Sequence, residues 1–108
     1  MKFRALADPT RLRILHLLNA NALCVGDLTE IIDVPQPTAS RHLAYLRRVD
    51  LVVTQKRGLW IYYSLAPARN HFHWKLLECL EECPEMVPEL KADSLRAAKL
   101  QKSNYHRR

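Results

Sequence analysis

With 108 residues, 48% of them hydrophobic and only two glycines, the chain has room for one packed core, which excludes two independently stable domains and a disordered or low-complexity protein. Seventeen Lys and Arg against eleven Asp and Glu leave a formal charge of +6, suited to a polyanionic partner. No apolar run approaches the ~18 residues that span a bilayer, and the opening MKFRALADPTRLR is broken by charge before a signal-peptide core can form, so a cytoplasmic protein with no membrane partner is expected.

Phe3 and Leu6 make a short apolar stripe that stops at Asp8-Pro9-Thr10, where Asp can cap a new helix and Pro fits its first turn. Leu12, Ile14, Leu15, Leu17 and Leu18 follow, apolar on more than one face, which predicts a central helix covered from several sides. Asn19-Ala20-Asn21 ends it. Val25, Leu28, Ile31 and Ile32 have the spacing of a short helix with one buried face. Asp33-Val34-Pro35-Gln36-Pro37 then forces an extended turn, because each proline disfavours helical geometry in the residue before it.

The next helix is predicted from about Pro37 to Arg48, with Ala39, Leu43 and Leu46 facing inward. Thr38, Arg41, Tyr45 and Arg48 share the opposite stripe, with Gln36 and Ser40 near its N-terminal end, so the outward face can read base edges. His42 lies at the boundary of the two faces and either packs or meets a phosphate. Two β-rich runs, 51–56 and 59–65, flank Arg57-Gly58 and predict a hairpin whose tip carries Lys56 and Arg57. Trp60, Tyr62 and Tyr63 are assigned to that hairpin's structure rather than to base stacking. Arg11, Arg13, Arg47 and Arg48 are either a solvated charge face or, in part, phosphate contacts.

After Pro67 a long helix is predicted, with Phe72, Leu76, Cys79, Leu80 and Cys83 on one apolar stripe, ending near Pro84. His71 and His73 at its start are surface or capping residues. A last amphipathic segment begins around Pro88-Glu89, carries Leu90, Leu95 and Leu100, and runs into the basic tail Asn104-Tyr105-His106-Arg107-Arg108. The expected class is mainly α with a β-hairpin wing, a winged helix-turn-helix. Residues 1–84 are expected to form its DNA-binding domain, and 85–108 a C-terminal helical extension with a basic tail. No Gly-rich phosphate loop, His-Glu-x-x-His motif or nucleophile-base arrangement is present, so an enzyme is not expected. A winged helix serving protein contacts alone is the alternative class.

The chain resembles the ArsR/SmtB winged-helix repressors over about residues 3–66. The resemblance rests on Ala7-Asp8-Pro9-Thr10-Arg11-Leu12-Arg13-Ile14-Leu15, on Leu23-Cys24-Val25-Gly26-Asp27-Leu28, on Gln36-Pro37-Thr38-Ala39-Ser40-Arg41-His42-Leu43 with Leu46-Arg47, and on Gly58 with Trp60, Tyr63 and Leu65. It implies a homodimer built from the first and last helices, so that residues 1–84 are a DNA-binding and dimerisation domain, bound to double-stranded operator DNA until an effector lowers its affinity. It also implies DNA contacts by Gln36, Thr38, Ser40 and Arg41, with Lys56 and Arg57 on the wing.

The effector is less constrained. Arsenic-sensing relatives carry Cys-Val-Cys-Asp-Leu-Cys where this chain reads Cys24-Val25-Gly26-Asp27-Leu28-Thr29, so their three-thiolate site cannot form there. Asn70-His71-Phe72-His73 does not reproduce the Asp-x-His and His-x-x-His/Glu spacings of zinc-sensing relatives. Cys79 and Cys83, one helical turn apart, could hold a thiophilic ion such as As(III) or Sb(III), with Cys24 a candidate third thiol near a helix N-terminus. Three cysteines, an odd number, argue against a disulfide framework. Core packing, a redox or persulfide switch and a zinc- or cadmium-type sensor remain as alternatives. No cofactor is expected to be needed for DNA binding.

Overall fold

The Asp8 carboxylate accepts the backbone N–H groups of Thr10 (2.8 Å) and Arg11 (3.1 Å), and this cap, with Pro9 in the first turn, starts helix α1 (Pro9–Ala20). Burial works against the Asp8 charge, but the Arg11 and Thr10 N–H groups with nearby His42 and Arg11 outweigh it and hold the carboxyl below its ordinary range. The computed structural model describes residues 8–68, 74–75, 78–79 and 88–104. The apolar stripe at Phe3 and Leu6 lies outside them.

Ile14, Leu15, Leu17 and Leu18 are all buried, so α1 is covered from several sides as its sequence predicts. Strand β1 (Leu23–Cys24) leads into α2 (Val25–Ile32), which buries Leu28, Ile31 and Ile32 and stops at Asp33 in the left-handed conformation (φ 56°). Pro35 stays extended and its carbonyl accepts the N–H groups of Thr38 and Ala39, starting α3 (Gln36–Arg48). Ala39, Leu43 and Leu46 are buried from that helix, matching the predicted inward face.

The chain then turns through Asp50, a second left-handed residue (φ 64°), into β2 (Val52–Arg57) and β3 (Trp60–Leu65), antiparallel from Val52↔Leu65 to Arg57↔Trp60. The loop between them is therefore Gly58-Leu59, one residue later than the Arg57-Gly58 turn predicted, and Gly58 takes the positive φ (61°) that a type II′ hairpin needs at its first central position. β1 joins as a third strand through Leu23↔Tyr63 and Cys24↔Tyr62, giving the order β1-β3-β2. Two helices, a turn, a third helix and this hairpin make a winged helix-turn-helix.

Residues 74–75 and 78–79 are helical, as expected after Pro67, and exposed. The last described helix, α4 (Pro88–Asn104), lies against α1 and α2. Its buried stripe differs from the one predicted: Leu90, Asp93 and Ala97 are buried with Leu100 beside them, whereas Leu95 is exposed. Leu95 lies two positions from Asp93 and Ala97, on the far side of the helix, and so cannot share their face.

Asp93 is 0% exposed and is the centre of the α4 contact. Arg13 grips it with two bonds, Nε to Oδ2 and Nη2 to Oδ1, both 2.8 Å, and Arg96 Nη2 donates to Oδ1 at 2.7 Å. The Asp93 bond also raises the Arg13 guanidinium above its already high value. Arg96 Nε reaches on to the Ile31 carbonyl (2.8 Å) in the last turn of α2, and His16 Nε2 lies 2.8 Å from Ser94 Oγ. Arg13 is thereby committed to the interior, which removes it from the arginines proposed as phosphate contacts.

Candidate nucleic-acid interface

Because Ala39, Leu43 and Leu46 fix one side of α3 in the core, the helix geometry turns the rest outward. Gln36, Ser40 and Arg41 are exposed; Thr38 and His42 are half-buried at the edges of the stripe. Among the described residues, no hydrogen bond or ion pair holds Arg41, so its guanidinium is available for a bidentate contact with a guanine edge.

Tyr45 differs from its neighbours on the stripe. Its ring packs against the core cluster, and the guanidinium groups of Arg11 and Arg48 stand 4.4 Å and 5.4 Å from its centroid. The ring thus supports two cations beside the reading face, a role that spacing alone did not distinguish from base contact. Arg47 is exposed at the end of the same helix.

The wing adds Lys56 and Arg57, both exposed. Arg57 lies over the Tyr62 ring (4.9 Å to its centroid) and donates from Nη2 to Gln55 Oε1 (3.3 Å), so its head is held along one face of the ribbon. Lys56 alternates to the other face, opposite Ile61. Tyr63 packs on the core cluster, Tyr62 supports Arg57 and Trp60 lies exposed on the sheet surface across from Arg57, in keeping with their assignment to hairpin structure. Electrostatically the surface is one-sided: from Val34 to Leu77, Asp50 is the one acidic residue against seven Lys and Arg. Such a field attracts phosphate along both α3 and the wing.

The thiols are separated by environment. Cys24 is buried at the N-terminus of α2, its Sγ 4.0 Å from where a Cβ at Gly26 would sit, whereas Cys79 is exposed rather than covered on an apolar stripe of the chain. Cys83, His71 and His73 lie outside the described residues. Among the described residues, no three of His, Cys, Asp and Glu converge as a metal site. None of the described helices is long and apolar enough to cross a membrane.

Residues 8–54 match the family described as "Bacterial regulatory protein, arsR family". The chain is 48% identical over 84 residues to an arsenical resistance operon repressor of Escherichia coli K12, covering 77% of this chain and 72% of that one. It is 38% identical over 76 residues to the transcriptional repressor SdpR of Bacillus subtilis, covering 68% of this chain and 84% of the relative. Among solved structures, HlyU of Vibrio cholerae superposes with a TM-score of 0.64 at 35% identity, covering 74% of this chain and 84% of that one. The shared length, the helix order and the hairpin behind it agree, and the chain belongs to the ArsR family of winged-helix, DNA-binding transcriptional repressors.

Proposed function

We propose that the protein works in the cytoplasm as a homodimer built through its first and last helices as read from the sequence, the one with Phe3 and Leu6 and the long one after Pro67, places α3 of each subunit in successive major grooves of an operator, and is released by a thiophilic effector, arsenite or antimonite. The observation that carries the docking is the exposed set Gln36, Ser40 and Arg41 on a helix whose opposite face is locked in the core, flanked by the exposed wing cations Lys56 and Arg57. Residues 1–84 supply DNA binding and dimerisation, and 85–108 the helical extension and tail. Occupying the promoter blocks transcription; the effector must favour a dimer shape with poorer groove spacing, since a ligand shifts an equilibrium only by its differential affinity.

Titration of the promoter region of its own gene against random duplex at moderate salt tests the docking. Preference for the promoter is expected, and equal affinity would favour a protein-interaction module instead. In the same assay Lys56→Ala is expected to weaken operator and random duplex alike and to lower the salt slope by about one. An unchanged slope would remove Lys56 from the phosphate contacts.

The effector assignment is supported by the arsenical-resistance relative and by three thiols of which Cys79 and Cys83 stand at helical-turn spacing, with Cys24 as the third. The exposed Cys79 thiol also favours a redox or persulfide reading. Release measured against arsenite, antimonite, zinc, cadmium, lead and persulfide separates the two. Cys79→Ser and Cys83→Ser are each expected to retain operator binding and lose release by arsenite; full release from both variants would end the thiolate assignment.

A further inference from the structure

The wing ends in a side chain that its turn does not require. A two-residue loop with Gly58 first needs nothing apolar at its second position, yet Leu59 stands there 96% exposed. Trp60 and Ile61 behind it are exposed as well, so three consecutive apolar residues form the tip. They sit between cations: Arg57 is directly across the ladder from Trp60, and Lys56 from Ile61. The result is an apolar point with a positive charge on each shoulder.

That shape matches one feature of duplex DNA. The minor groove is about 6 Å wide with phosphates along both rims, so one side chain at a two-residue tip can enter it while the cations on the two faces of the hairpin reach toward the rims. At Gly58 even an added Cβ would meet nothing within 4 Å, so the tip is slim and unobstructed. Apolar side chains that enter this groove wedge between base steps, and flexible pyrimidine-purine steps open most readily.

We propose that Leu59 is an apolar wedge that enters the minor groove beside the α3 contact, with Lys56 and Arg57 seated on the rim phosphates. The proposal rests on the operator-docking reading above and adds a sequence preference at positions that α3 does not touch. Leu59 leaves water only when the groove closes over it, so its burial contributes to the bound state alone.

The test uses the full chain and its promoter duplex, with 2-aminopurine substituted in turn for each adenine flanking the α3 contact. Binding of the unaltered protein is expected to raise fluorescence at one flanking step, reporting its unstacking. Leu59→Ser is expected to abolish the rise and weaken binding roughly tenfold, with the salt slope unchanged because no cation is lost. Leu59→Met, which keeps the apolar tip, is expected to retain both. Promoter-selective binding with no rise at any flank overturns the wedge and leaves the docking reading standing. So does a Leu59→Ser protein that binds as tightly as the original, or Leu59-dependent sedimentation with anionic vesicles in place of the DNA signal. A chain with no preference for its promoter over random duplex takes both down.

Discussion

Arg13→Met is expected to destabilise the protein by about 3–5 kcal/mol, the range for removing one partner of a buried ion pair. The direction follows from an asymmetry in burial. The Asp93 side chain is 0% exposed, whereas those of Arg13 and Arg96 are 23% and 51% exposed. Arginines left alone can turn toward water, but a carboxylate left without Arg13 stays buried with Arg96 as its remaining ionic partner among the described residues. The pair as a whole contributes much less than this, because withdrawing both charges from water offsets most of their attraction. Combining Arg13→Met with Asp93→Leu is therefore expected to recover most of the loss. Urea unfolding checks both: the single variant should shift the midpoint down at constant slope, and the double variant should shift it back. An Arg13→Met midpoint equal to that of the original protein would show that Asp93 does not depend on Arg13.

Arg41→Ala is expected to weaken operator binding by about 1–3 kcal/mol, roughly tenfold to over a hundredfold, and to relax base preference at one position per half-site. Its effect differs in kind from that of Lys56→Ala, which lowers affinity for every duplex, because a guanidinium on a base edge discriminates and an ammonium on a phosphate does not. Selection of binding sites from a randomised operator provides the measurement. A variant that recovers the same consensus as the original chain would exclude Arg41 from base reading. Stability should be unaffected, since Arg41 is exposed and the core contacts of α3 run through Ala39, Leu43 and Leu46.

The helix-turn-helix and its wing were legible because their signals are local. Asp8-Pro9, Pro35 with Pro37, and Gly58 each act through the backbone within a few residues, and all three mark a boundary in the structure, Gly58 with the hairpin turn displaced by one residue. Ala39, Leu43 and Leu46 announce their shared face by spacing. What was not legible depends on partners far along the chain. Strand β1 has only two residues and is defined by backbone pairing to Tyr62 and Tyr63, which leaves no side-chain period to read. Asp93 looks like a solvated charge until Arg13 is placed against it, and nothing local distinguishes Arg13 from Arg11. Tyr45 lay on the outward stripe by periodicity, but its large ring spans from that stripe back to the core.

The bond between Arg13 and Asp93 joins positions eighty residues apart, and α4 is also what covers part of α1 and α2. At about 5–20 residues per second, a ribosome needs roughly 4–16 s to travel from one codon to the other. Until Asp93 is made, α1 and α2 carry a leucine-rich flank that nothing yet caps. The carboxylate that closes the flank is therefore made only after the whole DNA-reading unit that it supports.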